Sequence, residues 1–201
     1  MQVNTLEING HTLEFIPEIH KYIVDGIITP CVSNILAYKF NDYANVPQDI
    51  LKRAGEKGTE LHKAIEDFEQ EGKPSDLKEF KNYLHLKEEI GFENIENELP
   101  VIYEENGRVL YTGTLDQLIL IDGKLGINDF KRVWHPNKEK IAYQLNLYRL
   151  AYMQTYDRPI DFLSFTHLRE DTKKFNHLPI NEEKALNLLY EFLEQENSNG
   201  D

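Results

Sequence analysis

The sequence predicts an α/β layer fold with a mixed central sheet flanked by helices, preceded by small N-terminal β-hairpins. Tight-turn dipeptides, Asn9-Gly10, Asp25-Gly26 and Asp122-Gly123, separate short β-type runs; Asn, Asp and Gly tolerate the positive φ that such hairpins need. Apolar residues recur at helical spacing, as in Leu61, Ala64, Ile65 and Phe68 and in Ile141, Leu145, Tyr148 and Tyr152. From residue 59 the order reads helix, helix, strand, strand, strand, helix, strand. A meander of strands between helices argues stacked layers.

In chain order, residues 3–8 and 11–16 form one hairpin, and 21–24 and 27–29 another. Ser33 is the expected N-cap of a short helix. A helix spans about 47–71, but Gly55 and Gly58 weaken its first half, so regular helix is expected only from about Thr59. Residues 76–90 make an amphipathic helix through Leu77, Phe80 and Leu84, which Gly91 ends. Strands at 95–103, 109–121 and 125–133 are joined by turns at 105–108 and 122–123. A helix at about 137–156, a strand at 161–169 and its hairpin partner at 173–180 follow. Asn181 caps a last helix carrying Leu186, Leu189 and Phe192, and the tail is polar. The whole, 1–201, reads as one domain: an N-terminal unit (1–46), a core (47–170) and a C-terminal strand and helix (171–201).

Composition narrows the functional classes. The 201 residues include 35 acidic and 22 basic ones, a formal net charge of −13, which argues against coating nucleic acid through bulk charge. No run approaches the ~18 apolar residues of a membrane span, and the N-terminus shows no basic, apolar secretory signal. A single cysteine, Cys31, excludes a disulfide framework and an all-cysteine iron–sulfur centre, and fits a reducing cytoplasm.

The candidate chemistry lies on the predicted strands. The chain carries seven acidic-x-Lys pairs, most of them in polar helix, loop or turn sequence. Asp129-Phe-Lys131 differs, because strand alternation puts Leu125, Ile127, Asp129 and Lys131 on one face, apolar and then charged. Such a strand leaves the core and enters a cleft. Its plain alternative is a strand end emerging into solvent. Asp116, among Leu115, Leu118, Ile119 and Leu120 on the neighbouring strand, is costly to bury unless paired or bound to metal. Two carboxylates from adjacent strands suit Mg²⁺ or Mn²⁺; a salt bridge from Asp116 to Lys131 is the plain alternative. Gln144 and Tyr148 lie four apart on one helix face. His62 lies beside the Leu61, Ile65 and Phe68 stripe, where a lone histidine is more often structural, yet neutral imidazole is a good further ligand.

Taken in order, Gly58-x-x-x-His62, Gly113-x-x-Asp116, Asp129-x-Lys131 and Gln144-x-x-x-Tyr148 resemble the RecB-type branch of the PD-(D/E)XK nuclease superfamily. The stretch Tyr143-Gln-Leu-Asn-Leu-Tyr-Arg-Leu-Ala151 is similar to that branch's last motif, and His20 to Ser33 is similar to phage-encoded members. The resemblance covers about residues 20–170. It implies a restriction-endonuclease-like core, α-β-β-β-α-β. It further implies a metal-dependent DNA nuclease, with exonuclease action in phage-like recombination or DNA processing as its first reading. A structure- or site-specific endonuclease, or a non-catalytic nucleic-acid-binding module, is the alternative. By the same resemblance Asp116 and Asp129 ligate Mg²⁺ or Mn²⁺, with His62 and the Phe130 backbone carbonyl completing the shell. Lys131 orients or activates the attacking water, and Gln144 and Tyr148 position substrate. Glu98 and Glu66 are weaker candidates. Asp129 stands where many members have Glu, and the cysteines that hold a cluster in some relatives are missing. The partners implied are linear duplex or single-stranded DNA ends, with room for a recombinase, a single-strand-binding protein or a homo-oligomer. The implied compartment is the cytoplasm of a bacterium or phage-infected cell.

The charge is unevenly spread. Residues 66–105 hold 13 acidic and four basic residues, whereas 131–149 hold five basic and one acidic. A basic cleft on an acidic body is therefore expected, with Arg132, Lys138, Lys140 and Arg53 as the nucleic-acid-binding residues.

Overall fold

The computed structural model describes residues 3–40 and 46–199, so residues 41–45 of the expected N-terminal unit and the end of the polar tail lie outside the described residues. Two sheets and five α-helices make an α/β architecture. The first sheet is antiparallel: β1 (Asn4–Ile8), β2 (His11–Ile16), β3 (Lys21–Val24) and β4 (Ile27–Thr29) pair in sequence order. Asn9 and Asp25 take positive φ ahead of Gly10 and Gly26, as the two hairpins require. The helix α1 (Val32–Lys39) follows.

The cap of α1 differs from expectation. Cys31, not Ser33, is the N-cap, and Asn34 Oδ1 accepts the Cys31 N–H at 2.9 Å. The chain at this point is tied to the second sheet: Thr112 N–H donates to the Pro30 carbonyl at 3.0 Å, and Cys31 bridges Thr112. That tie fixes where the helix begins.

The second sheet has the order β5 (Glu93–Glu105), β6 (Arg108–Ile121), β7 (Lys124–Lys131), β8 (Phe162–Arg169), β9 (Thr172–Leu178). Only the β7–β8 pair is parallel, because the helix α4 (Lys138–Tyr156) carries the chain across between them. With α2 (Gln48–Glu71) and α3 (Lys78–Ile90) before it and α5 (Glu182–Asn199) after it, the sheet is mixed and flanked by helices, in the expected order. The sheet separates two cores. Leu118, Leu125, Ile127 and Leu163 pack against Ile141, Leu145 and Tyr152 of α4 and Leu189 of α5. Ile119, Phe130 and Leu168, on the other face, pack against Leu61 and Ile65 of α2 and Phe80 and Tyr83 of α3. Burying such side chains supplies about 1.5–3 kcal/mol each.

The helix α2 runs unbroken from Gln48, not from Thr59. Gly55 and Gly58 each cost about 1 kcal/mol relative to alanine, and neither has atoms within 4 Å of where a Cβ would stand. Their sites are open rather than packed, and Gly58 lines the cleft described below. Gly126 has the opposite reason. A Cβ there would lie 2.3 Å from the ring of Phe162, its partner on β8, so only glycine admits that ring.

A buried chain of polar groups fixes α2 and α3 on the sheet. Tyr83 Oη and Lys87 Nζ donate to Glu69 Oε1 at 2.7 and 2.6 Å. Gln117 Nε2 donates to Tyr83 Oη at 2.8 Å, and Asn128 Nδ2 to Gln117 Oε1 at 3.0 Å. Ser164 and Thr166 both donate to Asn128 Oδ1 at 3.0 Å. Gln117 and Asn128 adjoin Asp116 and Asp129 in sequence, so this network sets the strand register at the level of the carboxylates.

Candidate active site

Two clusters of polar side chains meet where β5, β6 and β7 approach α2 and the start of α4. The first contains His62, Glu98 and Asp116. His62 is placed by its neighbours Leu61 and Ile65, which are buried against the sheet, and its ring meets the Phe130 ring edge-on at 5.3 Å. The His62 nitrogens stand 3.5 Å from Glu98 Oε1 and 3.7 Å from Asp116 Oδ2. One ligand atom from each of the three residues lies within 4.8 Å of the others, so the group could hold a metal ion. One imidazole nitrogen and two carboxylates form a hard donor set that suits a divalent cation.

Two backbone features aim this cluster. The Phe130 N–H donates to Asp116 Oδ2 at 2.9 Å, so β7 orients a carboxylate carried by β6. Glu98 has a left-handed φ of 50° in the middle of β5. That conformation costs a non-glycine residue about 1–3 kcal/mol and persists only where the surroundings impose it.

The second cluster joins Asp129, Lys131 and Gln144. Asp129 is buried, and its Oδ2 lies 2.6 Å from Lys131 Nζ. Gln144 of α4 serves both: its Nε2 donates to Asp129 Oδ1 at 3.0 Å, and its Oε1 accepts from Lys131 Nζ at 3.3 Å. The helix that carries Gln144 starts at a regular cap, where Asn137 Oδ1 accepts the Lys140 N–H at 3.1 Å. One turn beyond Gln144, Tyr148 is buried with its ring beside Gly113; a Cβ on Gly113 would stand 2.9 Å from Tyr148 Cε1. The Gly113-x-x-Asp116 spacing thus combines a close approach for an aromatic ring with a carboxylate three residues further along the strand.

The titrations follow from this geometry. Burial lowers the His62 pKa, but the charges of Asp116 and Glu98, with Asp129 behind them, outweigh it and hold the imidazole up at about 9. Burial pushes the Asp129 carboxyl above the ordinary carboxylate range, and Asp116 adds to that, while Lys131 and His62 oppose it. Burial and the charge of Asp116 push the Tyr148 phenol well above its ordinary value, so it keeps its proton.

The expected residues therefore divide. His62 and Asp116 come together with Glu98, which the sequence ranked lower, while Asp129 stands outside the ligating group, facing Lys131 and Gln144. Phe130 enters through its backbone N–H. Glu66 is also outside that group; it accepts from Gln70 Nε2 at 3.3 Å. The signal for Glu98 lay in the register, since Asn97 pairs with Gln117 and Leu99 with Leu115, which sets Glu98 beside Asp116.

The expected DNA-binding residues divide too. Lys140 and Arg132 line a cleft of about 780 Å³ with Lys131 and Gln144. The guanidinium of Arg132 is held by buried Glu79, Nε donating to Oε1 at 2.8 Å. Lys138 lines a separate pocket on the α4 surface, and Arg53 is exposed on α2, 4.0 Å from Asp49. Among the described residues no helix is long and apolar enough to cross a membrane.

No family model matches the chain, and no curated protein matches it. Among solved structures it is similar to the crystal structure of SSO0001, with 15% identity over 85% of this chain and 77% of that one and a TM-score of 0.49.

Proposed function

We propose that this chain is a metal-dependent DNA nuclease that hydrolyses phosphodiester bonds, acting as an exonuclease on linear DNA. The observation that carries the proposal is the adjacency of two clusters: a His–Glu–Asp group of ligating geometry, and buried Asp129 joined to Lys131 on β7 and Gln144 on α4. A structural histidine explains neither the strained Glu98 nor a lysine held at the strand end by a buried carboxylate.

In this reading His62, Glu98 and Asp116 hold Mg²⁺ or Mn²⁺, with the Phe130 carbonyl as the remaining candidate ligand. The ion supplies Lewis-acid polarisation of the phosphodiester. The rest belongs to the chain. Asp129 and Gln144 hold the Lys131 ammonium at a fixed position, where it offsets charge that develops on the phosphoryl oxygens and orients the attacking water. Tyr148, which keeps its proton, presents a donor beside the carboxylates. The single cysteine leaves no set for an iron–sulfur cluster.

The test is degradation of end-labelled linear duplex and single-stranded DNA with Mg²⁺ or Mn²⁺, beside a covalently closed circle. The proposal expects loss of the linear substrates and a spared circle. Cleavage of the circle would convert the reading to an endonuclease. Unchanged cleavage in Lys131→Ala and Asp116→Ala would overturn this site.

A further inference from the structure

The loop between β7 and α4 carries Trp134, the one tryptophan in the chain, and leaves it 69% exposed. Packing gives it almost nothing in that position. It is nevertheless held in place: the Arg169 guanidinium carbon lies over one face of the ring, 3.3 Å from its centroid. Arg169 is itself anchored, with Nη1 donating to the Arg132 carbonyl at 3.4 Å and Nε 3.7 Å from Asp171. With one face covered and the residue still mostly exposed, the other indole face is open to solvent.

Trp134 lines the same 780 Å³ cleft as Lys131 and Gln144. Ile50, Leu51 and Val133 add apolar wall. Lys131, Arg132, Lys140 and Arg169 are also in the lining, and no Asp or Glu is among the described residues that form it, in a chain of net charge −13. Lys131 and Arg132 have buried carboxylate partners, Asp129 and Glu79, that lie behind the wall rather than in it, whereas Asp171, the partner of Arg169, is exposed and outside the lining. The cleft therefore offers cations for a phosphate backbone and a rigid aromatic face beside the proposed reacting centre. Trp134 stands three positions after Lys131, at most about 10 Å of chain.

We infer that Trp134 is a base-stacking platform, and that the cleft takes an unpaired strand of DNA, with one base stacked on the indole next to the phosphate at Lys131. This rests on the reading that the site acts on DNA, and names the form of DNA it takes. The reason for a single strand is geometric: inside a duplex both faces of each base are already stacked and even a terminal base is held by pairing, and turning one out costs a few kcal/mol. A free strand presents its π-faces, and base–aromatic stacking tolerates any sequence.

Because the chain has one tryptophan, its emission reports on this residue alone. The metal-free protein is titrated in EDTA with a short oligo-dT, with the same phosphate backbone carrying abasic sites, and with a blunt duplex, following tryptophan emission; labelled copies give affinity by anisotropy. Oligo-dT is expected to quench the emission saturably over the concentrations at which it binds, the abasic strand to bind without quenching, and the duplex to leave the emission unchanged. Trp134→Ala should weaken oligo-dT binding roughly tenfold or more, leave abasic binding within about twofold, and keep the melting temperature; Trp134→Phe should restore much of the loss. Oligo-dT binding without quenching, or equal losses for oligo-dT and the abasic strand in Trp134→Ala, overturns the platform. The two readings fail separately. Quenching without Mn²⁺-dependent cleavage keeps the platform and removes the nuclease; cleavage without quenching does the reverse; no binding of any DNA removes both.

Discussion

The backbone N–H of Phe130 donates to Oδ2 of Asp116, the same oxygen that stands 3.7 Å from His62 Nε2. A peptide group on β7 thus fixes the direction of a carboxylate from β6 toward an imidazole from α2. Two consecutive strands and a helix some fifty residues earlier are needed to aim one ligand.

Metal affinity should depend on Glu98 as much as on His62. Calorimetry with Mn²⁺ should show one site in the unaltered chain. Glu98→Gln and His62→Ala should each weaken it roughly tenfold or more, about 1.4 kcal/mol or greater. Asp129→Asn should weaken it less, since Asp129 faces Lys131 and Gln144.

The imidazole should make both stability and metal binding depend on pH. The folded state holds the His62 proton more tightly than the unfolded chain, with a pKa of about 9 against an ordinary 6.5. The stability this contributes is fully present below about 6.5 and is lost as the pH rises through about 9. In EDTA the melting temperature should fall across that window, and His62→Gln should flatten the fall. A metal must displace the same proton, so Mn²⁺ affinity should rise over the same window.

Asp129→Asn should raise thermal stability while removing activity. A carboxyl held above its ordinary range by burial disfavours folding once ionised, so its cost grows as pH rises through the carboxylate range. Asparagine removes that cost and can still hydrogen-bond Gln144. A lower melting temperature at neutral pH in the variant would contradict the assignment.

Arg132 and Lys140 should separate in their effects, although the sequence groups them. Arg132→Ala leaves the buried Glu79 carboxylate without its guanidinium, at a cost of about 1–3 kcal/mol in chemical denaturation. Lys140→Ala should reduce the salt dependence of DNA binding by about one counterion.

Gly113→Ala should disturb the site through Tyr148. The new Cβ meets the buried ring at 2.9 Å, and such overpacking costs about 1–3 kcal/mol. Denaturation should report that loss, and cleavage should fall beyond what the remaining folded fraction explains.

Much of this was legible in the residues. Hairpin turns at Asn9-Gly10, Asp25-Gly26 and Asp122-Gly123 and the end of α3 at Gly91 all depend on local backbone preferences, and local preferences are written in a few adjacent residues. Alternation placed Asp129 and Lys131 on the face of Leu125 and Ile127, where Asp129 does point toward α4. The start of α2 was not legible, because two glycines in a row of turns reduce propensity while the helix is set by its packing against the sheet.

What the sequence determined by itself is the succession of elements and the residue types that could do metal and phosphate chemistry, since periodicity and turn geometry act over a few residues. Which of those residues meet was settled by packing and register. Register between β5 and β6 brought Glu98 to His62 and Asp116, and the packing of Glu79 took the Arg132 guanidinium. Those choices turn on distances of a few ångströms between segments tens of residues apart, and the strand register and buried hydrogen bonds that set them exist only once the sheet has formed.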